Sequence, residues 1–144
     1  MAPPLYALSV PLGFAVCLGM RFVSLGLQLA AGVPLKNEAP RGQPDSKEVQ
    51  MKDTDGYIKR TYAAHQNSWE AMILWTSAVL MGKVFGVGEE QMNTSATVWL
   101  VSRVVYLMAY TLISTFKASF FRSACWMVGV GASFHLMVLA AQAA

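Results

Sequence analysis

Three charged side chains, Arg21, Glu70 and Arg103, lie within long apolar stretches of this 144-residue sequence. Glu70 follows Arg60 by ten residues and Arg103 precedes Lys117 by fourteen, which places them roughly 15 and 21 Å from one basic face at helical rise. A charge at that depth in a bilayer costs at least a few kcal/mol unless it finds a partner. The three charges therefore predict either a structural ion pair or a site for an anionic ligand.

The stretch around Glu70 places several polar side chains on one face. Arg60, Asn67 and Glu70 are separated by seven and three residues, so a helix would align them. The Asn67 amide can both donate and accept hydrogen bonds, whereas the Glu70 carboxylate only accepts. This face can hold a ligand that carries both kinds of polar group.

The stretch around Arg103 repeats this pattern with aromatic residues. Arg103, Tyr106 and Tyr110 follow one another at spacings of three and four, and Lys117 continues the same face. A tyrosine beside an arginine can donate a hydrogen bond to a ligand thiolate. Aromatic residues in membrane helices more often pack, and for Tyr106 alone we favour packing.

Other chemistries lack the residues that they need. His65 and His135 are isolated, and no HExxH or CxxC motif accompanies them, so no metal site is predicted. No nucleophile elbow, phosphate-binding loop or dinucleotide fingerprint is present. Cys17 and Cys125 lie in apolar runs and are interpreted as small buried hydrophobic residues.

The sequence is unusually apolar, with 55% hydrophobic and 13% charged residues, which indicates that membrane helices position these side chains. Four stretches, 5–35, 61–87, 94–116 and 120–142, contain the roughly 20 apolar residues that cross a bilayer as a helix. We predict one all-α domain over residues 1–144, an integral membrane four-helix bundle. A soluble bundle is disfavoured because three of the four stretches lack a polar stripe.

The polar segment 36–56 is predicted to be a solvated loop because proline, glycine and alternating charges interrupt it. Basic residues concentrate on the side of this loop and of the connection after residue 116, which should face the cytoplasm or matrix. A net charge of +3 is too small for a nucleic-acid partner. A multi-pass protein of the endoplasmic reticulum, the mitochondrion or a bacterial inner membrane is compatible with this pattern.

Three short motifs carry a family resemblance: RTYAAHQNSWEA at 60–71, SRVVYLMAY at 102–110 and RSACWMVG at 122–129. Together, over residues 57–142, they resemble the MAPEG family, the membrane-associated proteins in eicosanoid and glutathione metabolism. That family also includes the microsomal glutathione transferases. Within it, the AAHQNSWEA version of the motif looks more similar to a poorly characterised branch than to the eicosanoid synthases.

The resemblance implies a homotrimer in the bilayer, with glutathione held between neighbouring subunits near the cytoplasmic side. It assigns Tyr110 and a cation, either Lys117 or Arg122, to catalysis, because a nearby cation lowers the pKa of the glutathione thiol. The side chains that it assigns to glutathione binding are Arg60, Asn67, Glu70, Arg103 and Tyr106.

One departure leaves two functions open. Glutathione-using members carry an arginine four residues before the asparagine, where this sequence has Ala63. The first function is a glutathione-dependent transferase or peroxidase that acts on lipophilic substrates. The second is a non-catalytic accessory or structural subunit of a larger membrane complex, for which the charged segment 36–56 would be a docking element. A small transporter or channel has only the buried charges in its favour.

Overall fold

The computed structural model describes residues 2–36, 38 and 40–144, and this part of the chain is mostly helical and contains no strand. A single 3-10 turn, Gln43–Asp45, precedes the short helix α2. The five α-helices are α1 (Leu5–Ala30), α2 (Lys47–Lys52), α3 (Tyr57–Val84), α4 (Glu89–Leu112) and α5 (Phe116–Ala143). The predicted all-α class is confirmed.

Three of the four long helices, α1, α4 and α5, are long and apolar enough to cross a membrane. Three such helices support the predicted integral, multi-pass membrane protein. Helix α3 has 28 residues but is less apolar. A fourth crossing by α3 therefore stays a prediction.

Turn chemistry sets the ends of these helices. Helix α1 ends five residues earlier than the predicted first stretch, because Gly32 adopts a left-handed backbone with φ of 67° and the Val33 N–H returns to the Gln28 carbonyl. At the start of α3, the Asp53 carboxylate accepts the N–H groups of Ile58 and Lys59. This cap satisfies two of the donors that a helix start leaves free.

Segment 36–56 differs from the solvated loop expected from its composition. Most of its described residues are exposed, but α2 buries Val49 against Val33 and Ile58. Lys52 also donates to the Gly32 carbonyl at 2.8 Å. The segment is a small cap over the adjoining ends of α1 and α3, because the buried side chains of Pro44 and Val49 and a few hydrogen bonds hold it there.

The core lies where α1, α3 and α4 converge around two fully buried tryptophans. The rings of Trp75 and Trp99 stack with centroids 5.1 Å apart. The Trp75 indole N–H donates to Ser9 Oγ at 2.8 Å, which satisfies the polar end of this side chain in the interior. Gly13 lets α1 approach this pair, since a Cβ there would lie 2.7 Å from the Trp99 ring.

Helices α4 and α5 approach each other closely at Gly129. A Cβ on this residue would lie 2.6 Å from Nη2 of Arg103 and 2.7 Å from Oγ of Ser102. Glycine therefore leaves the space in which the buried guanidinium lies against α5. Gly131, two residues later on α5, faces open space.

We predict that Gly129→Ala destabilises the detergent-solubilised protein by about 1–3 kcal/mol, because an added methyl group must displace Arg103 from a packed interface. The measurement is thermal unfolding followed by helical circular dichroism. Gly131→Ala is the matched control, and its melting temperature should be unchanged or slightly higher. Equal melting temperatures for the two variants would contradict the close packing at Gly129.

Candidate functional site

A cavity of about 500 Å³ opens between α3, α4 and α5. Each helix contributes polar side chains to it, and we call it the α3–α5 cavity. Five of the eight residues predicted for the site line its wall: Asn67, Glu70, Tyr106, Tyr110 and Arg122. The structure thus brings together residues that are up to 55 positions apart in the sequence.

Asn67 and Tyr106 form the junction between α3 and α4. The Asn67 Nδ2 donates to the Tyr106 hydroxyl at 2.8 Å. Only 3% of Tyr106 is exposed, so its ring is fixed in the helix contact. Tyr106 is therefore packed between α3 and α4, and it also lines the α3–α5 cavity.

Arg122 supplies the cation of the α3–α5 cavity. Its guanidinium lies 4.6 Å from the centre of the Tyr110 ring, and Nη1 is 3.5 Å from the Ile113 carbonyl at the end of α4. A cation at a helix C-terminus is stabilised by the free carbonyl groups there. Lys117 is exposed and does not line the cavity.

Glu70 is exposed at the edge of the same cavity. The ion pairs of the described chain are Lys36–Glu48 and Lys59–Asp45, and both lie in the polar cap region. No ion pair joins Glu70 to an arginine within the described residues of one subunit. The sequence left open a structural ion pair and a site for an anionic ligand. Within the described residues of one subunit, Glu70 does not form the ion pair.

Arg103 lies beneath the cavity instead of in its wall. Only 3% of the residue is exposed, and its Nη2 donates to the carbonyl groups of Cys125 at 3.3 Å and Trp126 at 3.2 Å. The guanidinium carbon lies 4.9 Å from the centre of the Tyr106 ring. The predicted direct contact between Arg103 and a ligand in this cavity therefore lacks geometric support.

Sequence reasoning missed four residues of the cavity wall, namely Ser119, Ser123, Trp126 and Met127. A helical spacing of four and three residues relates Ser119, Ser123 and Trp126. This spacing places them on one face of the helix that carries Arg122, and the sequence alone could have indicated it. The predicted fourth stretch began at residue 120. Helix α5 begins at Phe116.

A second cavity, of about 440 Å³, lies on the other side of α3, against α1 and the cap. Arg21 and Arg41 line it, and the Arg21 guanidinium lies 5.0 Å from the centre of the Tyr62 ring. His65 also lines it, with Nδ1 2.8 Å from the Cys17 carbonyl and Nε2 accepting the Trp69 indole N–H at 3.3 Å. We call this the α1–α3 cavity.

The helices that line the α3–α5 cavity lie within the part of the chain that matches a known protein family. The sequence model of the MAPEG family matches residues 6–142. The chain belongs to the MAPEG family. The match includes α1, which the resemblance over 57–142 did not cover. Comparisons with curated proteins and with solved structures each gave no match.

Arg60 has a structural position in this MAPEG protein, although the resemblance suggested ligand binding. Its Nε donates to the Thr111 carbonyl at 3.0 Å and its Nη1 to the Asp55 carbonyl at 2.7 Å. The guanidinium also lies 4.7 Å from the centre of the Tyr57 ring. Arg60 does not line the α3–α5 cavity, and it fastens the end of α4 to the start of α3.

We predict that Arg60→Met lowers the free energy of unfolding by about 1 kcal/mol, because two hydrogen bonds from a half-exposed guanidinium are lost. Thermal unfolding in detergent measures the change. Lys59→Met is the control, since its ion pair with Asp45 is exposed and contributes little. A variant of Arg60 that melts like the wild type but loses ligand affinity would contradict the structural role.

Proposed function

We propose that this MAPEG protein binds glutathione in the α3–α5 cavity and holds it as a thiolate that attacks a lipophilic electrophile or peroxide. The observation that carries the proposal is the presence of an unpaired carboxylate, Glu70, and a cation, Arg122, in one cavity. Unpaired charges of both signs suit a ligand that has both an ammonium group and anionic groups. Glutathione is such a ligand.

The polar residues suggest the orientation of the ligand. The Glu70 carboxylate and the amide oxygen of Asn67 are free acceptors for an ammonium group, since the amide nitrogen is used by Tyr106. Arg122, on the opposite helix, would lie near the sulfur. A cation beside a thiol favours the thiolate, which is the nucleophilic form. Arg122 is thus preferred to Lys117 for this role.

The apolar wall of the cavity supports a lipophilic second substrate. Trp126 and Met127 lie on α5 beside Arg122, and 58% of Met127 is exposed. On a helix that crosses the membrane, such a side chain faces lipid or a neighbouring subunit. A substrate dissolved in the bilayer could then reach the thiolate without passing through water.

A homotrimer follows as part of this proposal. Glu70 is exposed near the middle of α3, where contact with lipid would cost several kcal/mol. The α1–α3 cavity, with Arg21 and Arg41, lies on the other side of the same helix. A head-to-tail arrangement of subunits would bring the arginines of one copy toward one oxygen of the Glu70 carboxylate of the next, which leaves the other oxygen for the ligand ammonium, and such contacts form closed rings.

One observation favours the alternative of a non-catalytic subunit. Helix α3 contributes no cation to the α3–α5 cavity, because Arg60 is engaged with Thr111 and Ala63 has no charge. Weak binding of an anionic ligand would follow. In that case the polar network would serve assembly with another membrane protein.

We predict that Arg122→Met reduces the thiolate fraction of bound glutathione at pH 7 at least about tenfold, because the cation beside the sulfur is lost. Ultraviolet difference absorbance of the thiolate during a glutathione titration measures the effect. Lys117→Met, on the same helix but outside the cavity, should behave like the wild type. Absence of saturable glutathione binding to the folded wild-type protein would overturn the proposal and favour the non-catalytic subunit.

We also predict that Glu70→Gln shifts the detergent-solubilised trimer toward smaller species, because a neighbouring arginine then loses its partner in the interface. Light scattering coupled to size-exclusion chromatography measures the mass. Glu90→Gln, at the exposed start of α4, is the control. A trimer of unchanged stability in Glu70→Gln would argue against the intersubunit pairing.

A further inference from the structure

We propose that a groove on the face of α4 and α5 that points away from the α3–α5 cavity binds one acyl chain of an anionic phospholipid, with Lys117 at the lipid headgroup. We call it the α4–α5 groove. The inference does not depend on glutathione binding. It assigns a task to Lys117, the cation near the start of α5 that does not line the α3–α5 cavity.

The first step is the apolar wall of the α4–α5 groove, which has a volume of about 420 Å³. Four valines and Phe121 form most of this wall. Val101 on α4 is 57% exposed and Val128 on α5 is 51% exposed, so the groove is open along both helices. Exposed apolar side chains of this kind suit a hydrocarbon environment.

The hydroxyl groups in the wall do not change its apolar character. Thr97 Oγ1 donates to the Asn93 carbonyl at 2.9 Å, and Ser102 Oγ donates to the Trp99 carbonyl at 2.7 Å. Both hydroxyl hydrogens are thus used within α4. The occupant that fits such a wall is a chain without hydrogen-bonding groups, because a polar occupant would lose its bonds to water there.

The second step is the direction in which the groove opens. Phe121, Cys125 and Val128 follow one another at spacings of four and three, so they share one face of α5. Ser119 and Ser123, which line the α3–α5 cavity, lie on the opposite side of this helix. The proposed contacts between subunits use α3 and the α1–α3 cavity. The groove is therefore left facing the bilayer on two helices that are apolar enough to cross it.

The third step is the length of the groove. Lys117 precedes Phe121 by four residues and Val128 by eleven. The α5 wall therefore extends from roughly 6 to roughly 16 Å beyond the lysine along the helix axis. One leaflet contributes about half of a hydrocarbon core of about 30 Å. The groove thus has the depth of an acyl chain from one leaflet when Lys117 lies at the level of the headgroups.

The fourth step is the charge at the headgroup end. Lys117 is exposed, and neither ion pair of the described chain includes it. It lies one turn before Phe121, on the same face of α5. Residues 91–144 contain no acidic side chain, so α5 and all but the start of α4 offer no carboxylate to this lysine. A headgroup with a net negative charge complements it, whereas a zwitterionic headgroup brings its own ammonium group. The preferred occupant is therefore an anionic phospholipid.

Native mass spectrometry of the detergent-solubilised full-length protein tests the headgroup contact, with phosphatidylglycerol and phosphatidylcholine of identical acyl chains as probes. We expect the wild type to retain phosphatidylglycerol about fivefold more strongly, which is the effect of one lysine near a membrane surface. Lys117→Met should retain the two lipids equally, and Lys117→Arg should keep the preference. Lys47→Met, at an exposed lysine of α2, should also keep it. Equal retention by the wild type, or an unchanged preference in Lys117→Met, would overturn the proposal.

Val128→Phe tests the acyl-chain contact, because the larger side chain occupies the groove. We expect it to lower the retention of both lipids severalfold. Val138→Phe is the matched control, since Val138 is also 51% exposed on α5 but does not line the groove. Wild-type retention of lipid by Val128→Phe would overturn the proposal. A smaller oligomeric mass for this variant would also overturn it, because the groove would then hold a second copy of the chain.

Discussion

The position of the Arg103 guanidinium against α5 is the constraint on which the site depends. A charged group at this depth must be satisfied inside the protein, and two carbonyl groups of α5 provide that satisfaction. Because hydrogen bonds to carbonyl groups require close approach, α5 must present Gly129 at this point. The same contact fixes the rotation of α5 about its axis. With that rotation set, Arg122 faces Tyr110, and the α3–α5 cavity acquires its cation.

Helix α3 connects the two cavities and explains why its sequence is less apolar than that of its neighbours. Asn67 and Glu70 line the cavity shared with α4 and α5, whereas His65 and Gln66 line the cavity shared with α1. A helix with polar residues on two faces has a low mean hydropathy, although neither polar face needs to contact lipid in an assembled protein. The low mean hydropathy of α3 is therefore compatible with its predicted membrane crossing.

Much of the site could be predicted because helical spacing decides which side chains share a face. The intervals of three between Asn67 and Glu70, and of four between Tyr106 and Tyr110, were sufficient to align these pairs. Spacing within one helix does not reveal what lies opposite. The engagement of Arg60 with the Thr111 carbonyl depends on how two helix ends meet. The choice between Lys117 and Arg122 depends on the connection 113–115, whose geometry sets where α5 begins to face α4.

The same reasoning explains why the sequence can identify a buried arginine as exceptional and still leave its partner open. The free-energy cost of a charge inside a membrane indicates that Arg103 must have a partner. It does not distinguish a ligand anion from backbone carbonyl groups. The structure supplies carbonyl groups for one nitrogen, whereas Nε and Nη1 have no hydrogen-bond partner among the described residues. A charge that is half satisfied keeps a large field in a medium of low dielectric. The ring of Tyr106, with its centre 4.9 Å from the guanidinium carbon, lies in this field and also lines the cavity.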